Sequence, residues 1–141
     1  GGGICKGGKL KDNMMELDGK MKIMEGLDDF HEATWIHKYK GKYYLSYSDN
    51  HNDDWNDGVE GDNRMHYAIS DSPLGPWKHM GVYMDPTDSA TNHGSIVEYK
   101  GQWYAFYHNS ALSHHDWLRS ICVDKLYYNE DGTIRMVEQR K

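Results

Sequence analysis

The sequence is poor in the residues that usually announce a chemistry. It has two cysteines, Cys5 and Cys122, and no Cys-x-x-Cys pair. Two cysteines in strand-like contexts set up neither a disulfide framework nor a thiolate metal site, so free thiols are expected and the compartment stays open. No Gly-rich phosphate loop and no Gly-x-Ser-x-Gly elbow occurs, which sets aside P-loop nucleotide chemistry and one large class of serine hydrolases. Basic residues number 16 against 22 acidic ones, for a net charge of −6, so the electrostatic footprint of a nucleic-acid binder is missing. No apolar run approaches the roughly 20 residues of a membrane-spanning helix. The chain opens Gly1-Gly2-Gly3-Ile4 with no Met and no signal-type segment, and it reads as the interior of something longer.

What is present is aromatic and repetitive. Among 141 residues there are 11 Tyr and 5 Trp but 2 Phe. Rings with an apolar face and a polar edge suit half-buried sheets, and they also suit surfaces that stack sugars. The segment Ile36-His-Lys-Tyr39-Lys40-Gly41-Lys-Tyr43-Tyr44-Leu-Ser-Tyr47 recurs 60 residues later as Ile96-Val-Glu-Tyr99-Lys100-Gly101-Gln-Trp103-Tyr104-Ala-Phe-Tyr107. Each copy reads as strand, tight Lys-Gly turn, strand. A repeated hairpin of this length predicts an all-β radial array such as a propeller. The framework repeats while the entering segments differ: His31-Glu32-Ala33-Thr34-Trp35 stands where Thr91-Asn92-His93-Gly94-Ser95 stands in the second copy. Divergence on a constant frame is where a site belongs.

The rest of the pattern predicts two four-stranded units and half of an earlier one. A short strand within 1–8 and another at 21–24 form the half unit, and 25–34 forms a loop carrying Glu32. Strands are expected at 35–39, 42–48, 64–70 and 79–83, then at 95–99, 102–107, 119–125 and 134–137. The stretch Asp71-Ser72-Pro73-Leu74-Gly75-Pro76-Trp77 is a strong turn. Asp49 to Asn63, with Asp53, Asp54, Asp57 and Asp62, lacks the oxygen spacing of a calcium loop and reads as solvated. The implied division is 1–28, 29–85 and 86–141. Two and a half units do not close a ring of roughly four to eight blades. Bare strand edges invite pairing, so either a longer protein or a second copy should cover them.

Three residues are candidates for chemistry. Glu32 lies among Phe30, His31 and Trp35. A carboxyl group flanked by rings has its charged form disfavoured, as a general acid requires, while the plainer reading is a surface loop carboxylate. His93, in the equivalent segment, could bind a metal, bond a ligand or cap a turn. Arg119 could fork two hydrogen bonds to vicinal sugar hydroxyls or serve structure alone. His114-His115-Asp116 looks like a metal cluster only superficially and reads as loop.

Taken in order, Phe30 to Lys38, Tyr67 to Trp77, Thr91 to Val97 and Leu118 to Val123 resemble the family 43 glycoside hydrolases over nearly the whole chain. These are five-bladed β-propellers acting on arabinose- and xylose-containing polysaccharides. The resemblance implies a partial propeller of about two and a half four-stranded antiparallel blades. It implies that Glu32 is the general acid, that His93 lies near the axis and helps hold an ion, often calcium, largely through waters, and that Arg119 contacts the sugar. Ala33-Thr34 stands where the family usually has Gly-Pro. The family also uses two aspartates, one as general base, and no Asp here occupies the matching context. The expectation is therefore an inverting α-L-arabinofuranosidase or β-xylosidase of hemicellulose that lacks its base. The alternative is a non-catalytic half-propeller that binds carbohydrate or only self-assembles, for instance as a homodimer closing the open edges.

Overall fold

Two turns set the architecture. Lys40 and Gly41 have φ of 44° and 82°, and Lys100 and Gly101 have 50° and 82°. Positive φ at both central residues is the type I′ signature, whose twist matches that of the strands it joins. Glycine takes that conformation without strain, and each copy of the repeat supplies it at the second position. In the computed structural model, which describes residues 3–50 and 63–140, both turns close antiparallel hairpins.

Three antiparallel sheets follow along the chain. The first pairs β1 (Lys6–Gly7) with β2 (Lys22–Ile23). The second runs in the order β3 (Glu32–Tyr39), β4 (Lys42–Ser48), β5 (Met65–Ser70), β6 (Lys78–Met84). The third runs β7 (Ser95–Tyr99), β8 (Gln102–Asn109), β9 (Ser120–Leu126). The middle sheet is covered on both faces. Leu45, Tyr47 and Ala68 pack with Met24 and Trp77 toward the first sheet. Tyr44, Met65, Tyr67 and Tyr83 pack with Ile96, Ala105, Tyr107 and Leu126 toward the third. The Pro-Gly turn ends in buried Trp77, whose indole N–H donates to Met24 Sδ at 3.4 Å. A Cβ on Gly26 would lie 1.9 Å from the Trp77 carbonyl oxygen, so only glycine permits that contact.

Four sequence expectations change. Residues 25–34 are not wholly loop, because β3 begins at Glu32 and a bulge separates Glu32 from Trp35 in its pairing with β4. Residues 134–137 form no strand. Ile134 makes one bridge to Tyr128, after which Arg135 N–H donates to the Tyr127 carbonyl and Val137 N–H to the Tyr83 carbonyl. The Val137 donor goes to the neighbouring blade, so the tail leaves β9 and the third sheet keeps three strands. Asp49 is not solvated but fully buried, since Arg64 and His66 surround its carboxylate. Asp53, Asp54, Asp57 and Asp62 lie outside the described residues. Glu32, expected among enclosing rings, is only half-buried, because Trp35 lies partly exposed and Phe30 turns to pack on Tyr47. Cys5 and Cys122 are free.

Candidate active site

Each predicted residue lies at or just before the start of a strand. Glu32 opens β3 opposite Ser48, His93 precedes β7 by two residues, and Arg119 directly precedes β9. Strands β3 and β7 are neighbours: the Trp35 indole N–H donates to the Ile96 carbonyl at 3.0 Å. Equivalent strands of adjacent units run the same way, so their entering ends lie on one side. Ala33 sits in the bulge with φ 62°, a left-handed conformation unusual for a residue with a Cβ. A bulge re-aims the side chain beside it. Among the described residues nothing hydrogen-bonds or pairs with the Glu32 carboxylate.

His93 and Arg119 both act electrostatically on a third residue that sequence reasoning missed. His108, near the end of β8, donates from Nε2 to the Thr91 carbonyl at 2.9 Å. Burial pushes the basicity of its imidazole below the usual histidine range. The charges of Arg119 and His93 push it further down, against the Thr91 bond and Asp116. Arg119 is exposed, with its guanidinium 5.7 Å from the Trp117 ring centre and its Nε donating to the Asp116 carbonyl at 3.1 Å. His93 is exposed too, on a segment pressed close to the fold: a Cβ on Gly94 would meet Phe106 O at 3.1 Å and Tyr83 Oη at 3.3 Å. No direct bond joins Glu32 to either residue among those described.

A second constellation lies on the other flank of Glu32. Asp49 follows the residue paired with Glu32. It accepts Arg64 N–H at 2.7 Å on Oδ1, and Arg64 Nε at 2.7 Å and Nη2 at 2.6 Å on Oδ2. His66 Nε2 also donates to Oδ2, at 2.8 Å. His66 Nδ1 must then accept from His79 Nε2, at 2.9 Å. Burial alone would push the Asp49 carboxyl up, but the bonds from His66 and Arg64 outweigh it and hold the group below the usual carboxylate range. His79 is held below the histidine range by burial and by His66, with Asp28 and Asp29 opposing. Asn63 donates to the Asp49 carbonyl, and Asn92 Nδ2 to the Asn63 carbonyl at 3.4 Å. Buried amides thus connect Asp49 to the segment of His93. The repeat holds one signal for this cluster: beyond Tyr47 and Tyr107 it continues as Ser48-Asp49 against His108-Asn109. The exits of the hairpins diverge as their entries do.

Calcium does not fit these side chains as a directly bound ion. Among the described residues no three His, Cys, Asp or Glu side chains converge. The ion takes six to eight oxygens, which a lone imidazole does not supply.

Antiparallel sheets of this hairpin type, packed face to face, define a partial β-propeller. The chain belongs to the glycosyl hydrolases family 43, whose sequence profile matches residues 5–134. A β-xylosidase of Xylanibacter ruminicola is 44% identical over 111 residues, covering 77% of this chain and 31% of the relative. A xylosidase/arabinosidase of Bacteroides ovatus is 37% identical over 145 residues, covering 92% and 41%. Among solved structures, a family 43 enzyme from Xanthomonas citri superposes with TM-score 0.80 at 35% identity, over 93% of this chain and 41% of that one. A β-xylosidase/α-arabinofuranosidase from a compost metagenome, bound to xylotriose in a calcium-free form, gives 0.78 at 36% identity, over 92% and 40%. The chain therefore spans about a third to two fifths of the length of these relatives.

Proposed function

We propose that this chain supplies the acid half of a glycosidase that cleaves pentose-containing hemicellulose with inversion. The observation that carries the reading is Glu32, at the entry of an innermost strand and re-aimed by the bulge at Ala33, in a family whose relatives here are named for xylose and arabinose. In the reaction the Glu32 carboxyl passes its proton to the glycosidic oxygen as that bond to the anomeric carbon breaks. A water attacks the carbon from the opposite face and yields its proton to a second carboxylate, roughly 6.5–9.5 Å from the first. We assign that second carboxylate to a part of the propeller that the relatives have and this chain does not span. Arg119, with most of its guanidinium donors unused among the described residues, suits vicinal hydroxyls, and exposed His93 suits a hydroxyl or a water of an ion's shell. A calcium ion at the axis would be held through such waters, and no step requires it.

We read 1–28 as a half-blade and 29–85 and 86–141 as blades. That each sheet falls inside one range supports this. A second copy is the partner we propose for the open edges. Ile4, Met15 and Ile23 on one side and Ile121 and Val123 on the other are exposed apolar residues that a closed ring would cover. A solution mass equal to the 16.4 kDa single chain would count against it.

The test is hydrolysis of aryl β-xyloside and aryl α-L-arabinofuranoside beside a Glu32→Gln variant. Hydrolysis that falls about 10²- to 10⁴-fold in the variant is the expected signature of a lost general acid, and it would move the base from the unspanned part to this chain or a second copy of it. Equal hydrolysis by both would remove Glu32 from the mechanism. A chain that binds pentose oligosaccharide without hydrolysing it would be the carbohydrate-binding half-propeller.

A further inference from the structure

A cleft of about 410 Å³ opens beside Glu32, lined by Asp29, Phe30, His31, Asp49, Asn50 and Arg64. Its size falls in the range of small-molecule sites, roughly 300–1,000 Å³. Two of its residues, Phe30 and His31, immediately precede Glu32. A third, Asp49, follows Ser48, the strand partner of Glu32. The cleft therefore borders the segment that carries Glu32.

We propose that this cleft is a subsite for an uncharged sugar unit, gripped by Arg64, and that it disfavours units carrying a carboxylate. The proposal rests on the glycosidase reading above and adds a substrate preference to it. The Arg64 guanidinium is fixed by Asp49 through Nε and Nη2, and its side chain is one-third exposed (33%). Two N–H groups on Nη1 and one on Nη2 remain for a ligand. Among the described residues nothing takes up Nη1. Asp49 itself cannot swing away, because His66 holds it from behind and His79 holds His66. A fork positioned in this way suits a pair of adjacent hydroxyls. The Phe30 ring, steadied against Tyr47 at 5.4 Å, offers an apolar wall for the C–H face of a sugar.

Charge decides which sugar. Counting imidazoles as neutral, the lining among the described residues carries two carboxylates, Asp29 and Asp49, and one guanidinium. Arg64 is already neutralised by a buried partner with which it shares three hydrogen bonds. An incoming anion would meet the surplus negative charge of exposed Asp29, with Asp28 beside it in sequence. A neutral polyol forms the same hydrogen bonds without that repulsion. Specificity here comes from a repulsive element as well as an attractive one.

The experiment is a titration of the isotope-labelled 141-residue chain, followed by NMR, with xylotriose and with xylotriose bearing a uronic acid branch. Xylotriose should shift the amides of Phe30, His31, Asn50 and Arg64. The branched acid should bind about tenfold more weakly, and Asp29→Asn should narrow that gap. Arg64→Lys keeps a cation against Asp49 but loses the fork, so it should weaken xylotriose at least tenfold while the spectrum stays folded. Xylotriose binding that leaves those four amides and Arg64→Lys unaffected would overturn the subsite and leave the glycosidase reading standing. Equal or tighter binding of the acidic sugar would overturn the preference. A folded chain that binds neither sugar would overturn both readings together.

Discussion

Ile36 and Ile96 hold the same place in the repeated hairpin, yet Ile96 is 1% exposed and Ile36 is 42% exposed. Their strand partners, Leu45 and Ala105, are equally buried, at 1% each. The difference lies in what covers the face. Ile96 packs into the core between the middle and last sheets. The matching face of the middle sheet looks toward β1 and β2, whose packing reaches β4, β5 and Trp77 but no residue of β3. On the opposite face the asymmetry reverses. His37 is packed against Tyr44, Trp103 and Tyr128, while its counterpart Val97 is 39% exposed. Tyr39 stacks on Tyr128 with centroids 3.7 Å apart, and its counterpart Tyr99 is open to solvent. One sequence unit thus has two energetic fates, set by its neighbours.

The largest expected effect tests that directly. Ile96→Ala should destabilise by about 2–5 kcal/mol, as a cavity in a packed core does, and Ile36→Ala by under about 1 kcal/mol. Urea unfolding of the two variants measures both. Equal losses would mean that β3 is covered in solution, as a second copy on that edge would make it.

The next effect concerns His37. Burial lowers its imidazole from 6.5 to about 4, and Nε2 lies 2.6 Å from the Tyr128 hydroxyl. The charged form is the one disfavoured in the fold. As pH falls below 6.5 the unfolded chain takes up a proton before the folded one does, so stability declines until about pH 4 and then levels. The full difference is roughly 3 kcal/mol. His37→Val, which copies the residue of the second unit, should remove this decline. Thermal melts of both proteins between pH 7 and 4 check it, and an unchanged slope would place the titration elsewhere.

The smallest effect separates the entering segments. Ala33 has φ 62°, whereas its counterpart His93 has no positive φ. Ala33→Gly should therefore stabilise by roughly 1 kcal/mol through relief of backbone strain. The same substitution at His93 should bring no such gain. Paired denaturation midpoints report the contrast.

Much of this was legible before any coordinates. Lys40-Gly41 and Lys100-Gly101 specify their turns because φ is a local property, and alternating rings and β-branched residues specify strands because the pleat has a period of two. Glu32, His93 and Arg119 could be singled out because they break or flank that local pattern. The influence of His93 and Arg119 on His108, and the lattice of Asp28, Asp49, Arg64, His66 and His79, could not. Those partners are 13 to 17 residues apart or more, and no periodicity links them. The segment 134–137 looked like a strand because its composition suits one, but a strand exists only where a partner offers free donors and acceptors, and Tyr83 draws the tail aside. By itself the sequence determined the hairpins, their turns, the family and the positions of the polar entries, since each is written in neighbouring residues. The tertiary structure alone decided which copy of the hairpin is buried, which carboxylate is clamped and where a cleft opens. These depend on what packs against each face, and burial is a property of neighbours in space.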